Sequence, residues 1–483
     1  MNNHHSEHYQ YSLIASSDKW QNRKDIQSMT QYFQGDLFHT PVYGQLDYVP
    51  QALIAVDDNG KIDQVYRQED PSYVEAVKQA QESTDFVRLE AGQYFLPGLV
   101  DLHIHAPQWP QAGIALDEPL NVWLDECTFP LEAKYADLDF ARSVYTDLVQ
   151  QLLARGTTTG LYFASAHLES SYELAKICAQ AGQRGLVGKV VMDDPEANPD
   201  FYRDASTDQA LKDTETFIQK VRDLGKDYKQ GVYPVVTPRF VPSCTDEALA
   251  GLGALAQKYN AHVQSHCSEG QWEHDFVMER FHGKRDTEVL RDFGLLGPKS
   301  VMAHCNFLNE ADGKIFQETG TGIGHCPYSN AYFANAVLPV KRLKAQGVNI
   351  GLGTDISGGF SSSLYENIRQ AVVSSRILED GVDTQVGPEA RGVKDSRISL
   401  VEAFYLATKG GGESLDLPLG SIESGQACDL QLIDTKVANN ILPDFGVFND
   451  PREIFERIIY LVTPENIRKV WVQGALVVDK VTI

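Results

Sequence analysis

A chain of 483 residues, 42% of them apolar and 10% aromatic, has ample material for a large core and too many rings for a solvating coil. With 66 acidic against 42 basic side chains, its formal charge of −24 repels phosphate backbones and anionic lipid, which excludes nucleic acid and membrane as expected partners. It shows no run of 18 apolar residues, no secretory signal at Met1–His5 and no regular spacing in its seven cysteines, so a reducing, cytoplasmic setting is expected.

Residues 1–30 are polar and aperiodic and read as a loose extension. Its histidines, His4, His5 and His8, read as part of a flexible tail rather than a metal site. From 31 to 96 the pattern is short strands and turns. Tyr48–Val56 stops at Asp57-Asp58-Asn59-Gly60, a hairpin signal, Ile62–Tyr66 returns, and Phe86–Leu89 follows.

After Pro97-Gly98 apolar strands alternate with helical periodicity. The expected strands are Leu99–His105, Thr159–Ala164, Gly185–Met192, Val232–Thr237, His262–His266, Ser300–His304, Gly322–Cys326 and Val348–Thr354. Helices are expected at Phe140–Arg155 (closed by Gly156), Ser171–Ala181, Asp208–Leu224, Asp246–Tyr259 and Glu310–Thr319. Eight such strands argue for a TIM-like (β/α)8 barrel over 97–415 rather than an open sheet. A further helix, Leu400–Lys409, follows the barrel strands, and the polar stretch Leu378–Ser396 reads as a long surface loop.

The tail returns to strands at Asp429–Ile433 and Val470–Val478, the second turned at Gln473-Gly474. Residues 416–483 should therefore join 31–96 in a small discontinuous β-sandwich domain built from both ends of the chain.

Asp101-Leu102-His103-Ile104-His105 carries the strongest chemical signal. Alternate residues of a strand share a face, so His103 and His105 should point together, with Leu102 and Ile104 opposed. His266, His304 and Asp355 also end apolar strands, and in a barrel such ends converge on one rim. Buried imidazoles and carboxylates cost free energy unless paired or metal-bound, so packing alone does not explain the pattern. Three imidazoles and a carboxylate suit zinc or iron. Cys267, Cys305 and Cys326 fall near the same rim and read as small buried apolar residues. A metal with an open position acidifies the water it holds, and Glu269, three residues past His266, is placed to move the protons.

Residues 97–108, Pro-Gly-Leu-Val-Asp-Leu-His-Ile-His-Ala-Pro-Gln, resemble the first-strand signature of the amidohydrolase superfamily. His266-Cys267-Ser268-Glu269, Ala303-His304 and Gly353-Thr354-Asp355 follow in the matching order. Within it, His105-Ala106-Pro107-Gln108, Thr237-Pro238-Arg239-Phe240 and Gly353-Thr354-Asp355-Ile356-Ser357-Gly358-Gly359 resemble the guanine deaminases, a likeness running from about residue 35 to the C-terminus.

The resemblance implies zinc-dependent hydrolysis of guanine to xanthine and ammonia in purine catabolism, by a homodimer with guanine as its partner molecule. It implies one zinc per chain on His103, His105, His266 and Asp355. Catalysis falls to Glu269 as proton shuttle, Asp355 and His304. Substrate binding falls to His105, Gln108, Arg239, Phe240, His266, Glu269 and Asp355. A second metal commonly needs a lysine on the fourth barrel strand, and Val232–Thr237 has none. Cys267 and Cys305 depart from the pattern, standing where an apolar residue and a glycine are common.

Guanine presents O6 and N7 as adjacent acceptors, which an arginine fork such as Arg239 matches, while Phe240 could stack on the ring. Gln108, with a donor and an acceptor, could read ring nitrogens. Two alternatives stay open: an aminohydrolase of another purine, a pterin or a triazine, and a non-catalytic scaffold that keeps the fold and a structural metal.

Overall fold

The structure, a computed structural model, describes residues 30–480. The histidines of the expected N-terminal extension lie outside the described residues.

Strands β1 (Gln31–Val42) and β2 (Gln45–Val56) form a long antiparallel hairpin, and β3 (Ile62–Tyr66) returns along β2. β4 (Phe86–Arg88) and β5 (Gln93–Pro97) run parallel to β1. Eight parallel strands follow: β6 (Leu99–His105), β7 (Thr157–Phe163), β8 (Arg184–Val191), β9 (Val232–Pro238), β10 (His262–Cys267), β11 (Ser300–His304), β12 (Gly322–His325) and β13 (Asn349–Leu352). The chain ends in β14 (Leu430–Asp434), a two-residue ribbon of β15 (Lys436–Val437) and β16 (Asn440–Ile441), then β17 (Ile467–Val472) and β18 (Ala475–Asp479).

β6 to β13 pair in sequence order, each with the next. The ring closes where β6 meets the segment after β13: Asp355 N donates to His103 O (2.8 Å) and His105 N to Ile356 O (2.7 Å). Helices Leu138–Ala154, Leu168–Ala181, Thr207–Gly225, Asp246–Tyr259 and Glu310–Thr319 link successive strands, as a (β/α)8 barrel requires. Their ends match their residues. Asp137 caps the first by accepting from Asp139 N and Phe140 N, and left-handed Gly182 closes the second.

Val100, Leu102, Leu161, Leu186, Val235 and Val301 fill the N-terminal end of the barrel, which Leu415 and Leu419 plug from below. The helix Lys409–Ser414 reaches this floor through glycines: a Cβ on Gly411 would stand 2.7 Å from Val100 Cβ.

The strands from the two chain ends share one sheet, ordered β18-β17-β14-β5-β1-β2-β3, with β4 beside β1. The expected sandwich is thus hydrogen-bonded as a single curled sheet. Ile62 N donates to Gln426 O and Cys428 N to Gly60 O, bringing the β3 edge round to the approach to β14. Phe33, Phe95 and Trp471 meet edge-on inside the curl, Phe33 and Trp471 with centroids 5.2 Å apart. A buried ion pair, Arg184 with Asp429, ties this sheet to the barrel.

Two expectations change. The helix Leu364–Asp380 occupies the start of the presumed loop, which is irregular only from Gly381. In β6 the register shifts between Asp101 and Ile104. This bulge turns Leu102 into the barrel-floor cluster instead of pairing it with Ile104, while His103 and His105 stay together above it.

Candidate active site

Barrel closure carries His103, His105, His266, His304 and Asp355 to one rim, every one of them buried. Asp355 Oδ1 is 3.2 Å from His103 Nε2 and 3.7 Å from His105 Nε2. His105 Nε2 and His266 Nε2 stand 3.0 Å apart. Asp355 Oδ2 is 4.0 Å from His304 Nε2, which is 3.6 Å from Glu269 Oε2.

Neighbouring groups set which ring nitrogen faces the centre. His266 Nδ1 donates to Arg239 O (2.6 Å) and His304 Nδ1 to Asn330 Oδ1 (2.9 Å), so their Nε2 lone pairs point inward. Asp101, beneath them, accepts from His103 N (3.2 Å), Thr354 N (2.9 Å) and Thr354 Oγ1 (2.6 Å), which fixes the strand ends. Burial pushes its carboxyl up to about 7. Gly353 makes the approach possible, because a Cβ there would stand 2.7 Å from His103 Cβ. Ser268 (φ 48°), His304 (φ 68°) and Asp355 (φ 51°) hold left-handed backbone, at a cost of about 1 kcal/mol or more each.

Burial drives the His103, His105 and His266 imidazoles well below their usual range, so they are neutral donors of a lone pair. It raises Asp355 as well. Glu269 is pushed up to about 8, first by burial and then by Asp355, against the pull of Arg239.

The residues fit a divalent metal. His103 Nε2 and His304 Nε2 are buried polar atoms with no hydrogen-bond partner, and such orphans are costly without a ligand. Ligand atoms of His103, His105 and His266 converge within 4.8 Å of one another, as do those of His103, His304, Cys326 and Asp355. Imidazole and carboxylate donors of this kind suit zinc or iron. Cys267 and Cys305 are buried, as expected for small apolar residues, and so is Cys326, although it also reaches the metal-ligating cluster.

The expected base-reading residues gather beside this centre. Gln108 lies in the turn after β6, with Ser357 N donating to its Oε1 at 3.2 Å. Arg239 follows β9, its guanidinium carbon 5.0 Å from the Phe129 ring centroid. Its fork is already engaged: NH1 donates to Glu132 Oε2 (2.7 Å) and NH2 to Glu132 Oε1 (3.2 Å). Phe240 is half-buried, its ring centroid 6.0 Å from Trp272 and 6.3 Å from His266.

Sequence reasoning missed Glu132. It ends a four-residue helix, Phe129–Glu132, among the short turns of 106–136, where no periodicity marks a core face. The one available signal was an acid close behind the aromatic-proline pair Phe129-Pro130.

Residues 94–477 match the model of the amidohydrolase family. The chain is 36% identical over 453 residues to the human guanine deaminase, covering 92% of this chain and 96% of that one. It is 34% identical over 461 residues to the guanine deaminase of Dictyostelium discoideum, covering 92% and 97%. A crystal structure of guanine deaminase from C. acetobutylicum with guanine bound in its active site superposes with a TM-score of 0.81 at 33% identity, over 92% of this chain and 99% of that one.

Proposed function

The chain belongs to the amidohydrolase family, and from that membership we propose that it hydrolyses guanine to xanthine and ammonia. The carrying observation is the meeting of neutral imidazoles, Asp355 and the buried acid Glu269 at one barrel rim, beside the polar side chains of Gln108 and Arg239.

We assign His103, His105, His266 and Asp355 to one zinc ion. Bound there, zinc would act as a Lewis acid on the attacking water and lower its pKa. Glu269, its carboxyl raised by burial, takes one proton from the attacking water and passes it to the ring, and a second, released as the C2 carbonyl forms, goes to the departing amine. Asp355 helps receive the water's proton. His304, held by Asn330, turns its Nε2 toward the developing tetrahedral centre. Gln108 and Arg239 hold the base by its edge while Phe240, His105 and His266 bound its faces. Water enters, one C–N bond breaks, and ammonia leaves.

The same reading takes the protein to be a cytoplasmic homodimer acting in purine catabolism. Among the described residues no helix is long and apolar enough to cross a membrane. An exposed apolar surface supports a second copy as partner. Val373 and Ile377 extend the face of Leu364–Asp380 from which Arg369 grips the end of helix Pro451–Leu461, and Tyr460, Leu461, Val447 and Phe448 continue it.

A substrate panel of purines, pterins and triazines, run with metal analysis on the same sample, tests the assignment. Guanine should be the preferred substrate, with about one zinc per chain. Preference for a pterin or triazine would move the activity elsewhere in the family, and no turnover with bound metal would favour a scaffold.

A further inference from the structure

Glu132 has no part in the steps above, yet it is 1% exposed at the wall of the site. Its Oε2 accepts from Arg239 NH1 at 2.7 Å, and its Oε1 from both Arg239 NH2 (3.2 Å) and Gln108 Nε2 (3.0 Å). Three of its roughly four acceptor sites are filled, so little capacity remains for a ring N–H.

What the carboxylate does is orient its neighbours. It can only accept, so Gln108 must turn its NH2 toward it. Ser357 N–H can only donate, so it must face Gln108 Oε1, 3.2 Å away. The amide thus has a single orientation and keeps one N–H and one lone pair for a ligand. Arg239, its fork occupied, keeps its remaining N–H groups.

Glu132 also sets the charge. A buried guanidinium without a counter-ion is a receptor for anions. Paired, it is a fixed set of donors with no net charge. Guanine is a neutral ligand. Xanthine carries a second imide N–H in place of the amidine, loses a proton more readily, and as an anion is the species an unpaired Arg239 would hold.

We propose that Glu132 is a positioning residue that fixes the Gln108–Arg239 donor face and cancels the Arg239 charge, so that the site accepts a neutral aminopurine and releases its acidic product. The inference rests on the guanine reading above.

The test compares metal-loaded wild type with Glu132→Gln and Glu132→Asp, at a pH where xanthine is partly ionised. In Glu132→Gln the kcat/KM for guanine should fall, mainly through KM, while xanthine inhibits about tenfold more tightly, the worth of one charge-assisted hydrogen bond. A merely structural carboxylate would weaken both ligands together. Glu132→Asp keeps the charge and shortens the reach, so guanine kcat/KM should fall with xanthine inhibition no tighter. That variant carries the test if Glu132→Gln does not fold, since an unpaired buried charge is costly. Unchanged or weaker xanthine inhibition in Glu132→Gln, or tighter inhibition in Glu132→Asp, overturns the assignment. A wild type inert toward guanine would instead defeat the reading it rests on.

Discussion

β6 carries Val100 and Leu102 near one end and His103 and His105 at the other; β11 runs from Val301 to His304. At the floor of the barrel these strands meet Leu415 and Leu419 in an apolar plug. At the mouth they present buried imidazoles, carboxylates and left-handed backbone at His304 and Asp355. The floor gains free energy from burial, and the mouth gives some of it up in desolvated groups and strain. One scaffold therefore separates stability from chemistry along the length of its strands, and substitutions at the two ends should differ in kind.

The largest effect is expected at the mouth on metal removal. Chelation should abolish turnover and lower Tm, because a ligand bound to the native state stabilises it. Full activity in protein shown to be metal-free would break the contrast outright. Next, Glu269→Gln keeps size and hydrogen bonding but removes the titratable acid, and should cost about 10²–10⁴ in kcat with metal content unchanged. If metal left together with activity, Glu269 would be a ligand or prop and not a shuttle. Arg239→Ala should lower guanine kcat/KM by about 10²-fold through misplacement of C2, with Arg239→Lys recovering only part, since an ammonium lacks the planar fork. Near-normal kinetics in Arg239→Ala would remove the case for a guanine-reading edge.

The floor should answer in stability alone. Leu186→Ala, at a fully buried site, should cost about 2–5 kcal/mol in denaturant unfolding with kcat per folded molecule preserved. A loss of kcat in that variant would show that the two ends are not separable. His262 sharpens the point. It opens β10 at the floor, donates from Nε2 to Leu415 O (2.9 Å), and is lowered to about 4 by burial. Both states are neutral above the unfolded pKa of about 6.5. As pH falls from there toward 4, the unfolded chain binds the proton first and the fold loses at most about 3 kcal/mol. The Tm of the wild type should therefore drop more steeply with acid than that of His262→Gln, and parallel curves would contradict it.

Legibility followed the same division. The eight barrel strands and the helices beside them were readable because burial imposes unbroken apolar runs and 3.6-residue periodicity, and Asp246–Tyr259 and Ser300–His304 agree to the residue. His103, His105, His266, His304 and Asp355 stood out because each breaks such a run at its C-terminal end. The bulge in β6 was not readable, since a register shift changes which face a residue takes without changing the residues. The helix Gln271–Arg280 escaped because it carries no apolar stripe. Glu132 escaped because its partners, Gln108 and Arg239, lie 24 and 107 residues away and only closure of the barrel assembles them.

The central claim is that the barrel mouth, loaded with metal, performs one hydrolytic deamination of guanine. Ammonia and xanthine measured together, from guanine mixed with metal-replete wild type and with the same sample after chelation, test it most directly. The account expects equal amounts of xanthine and ammonia from the loaded protein and neither from the chelated one. Guanine left intact by the loaded protein, or products formed equally well without metal, would contradict it.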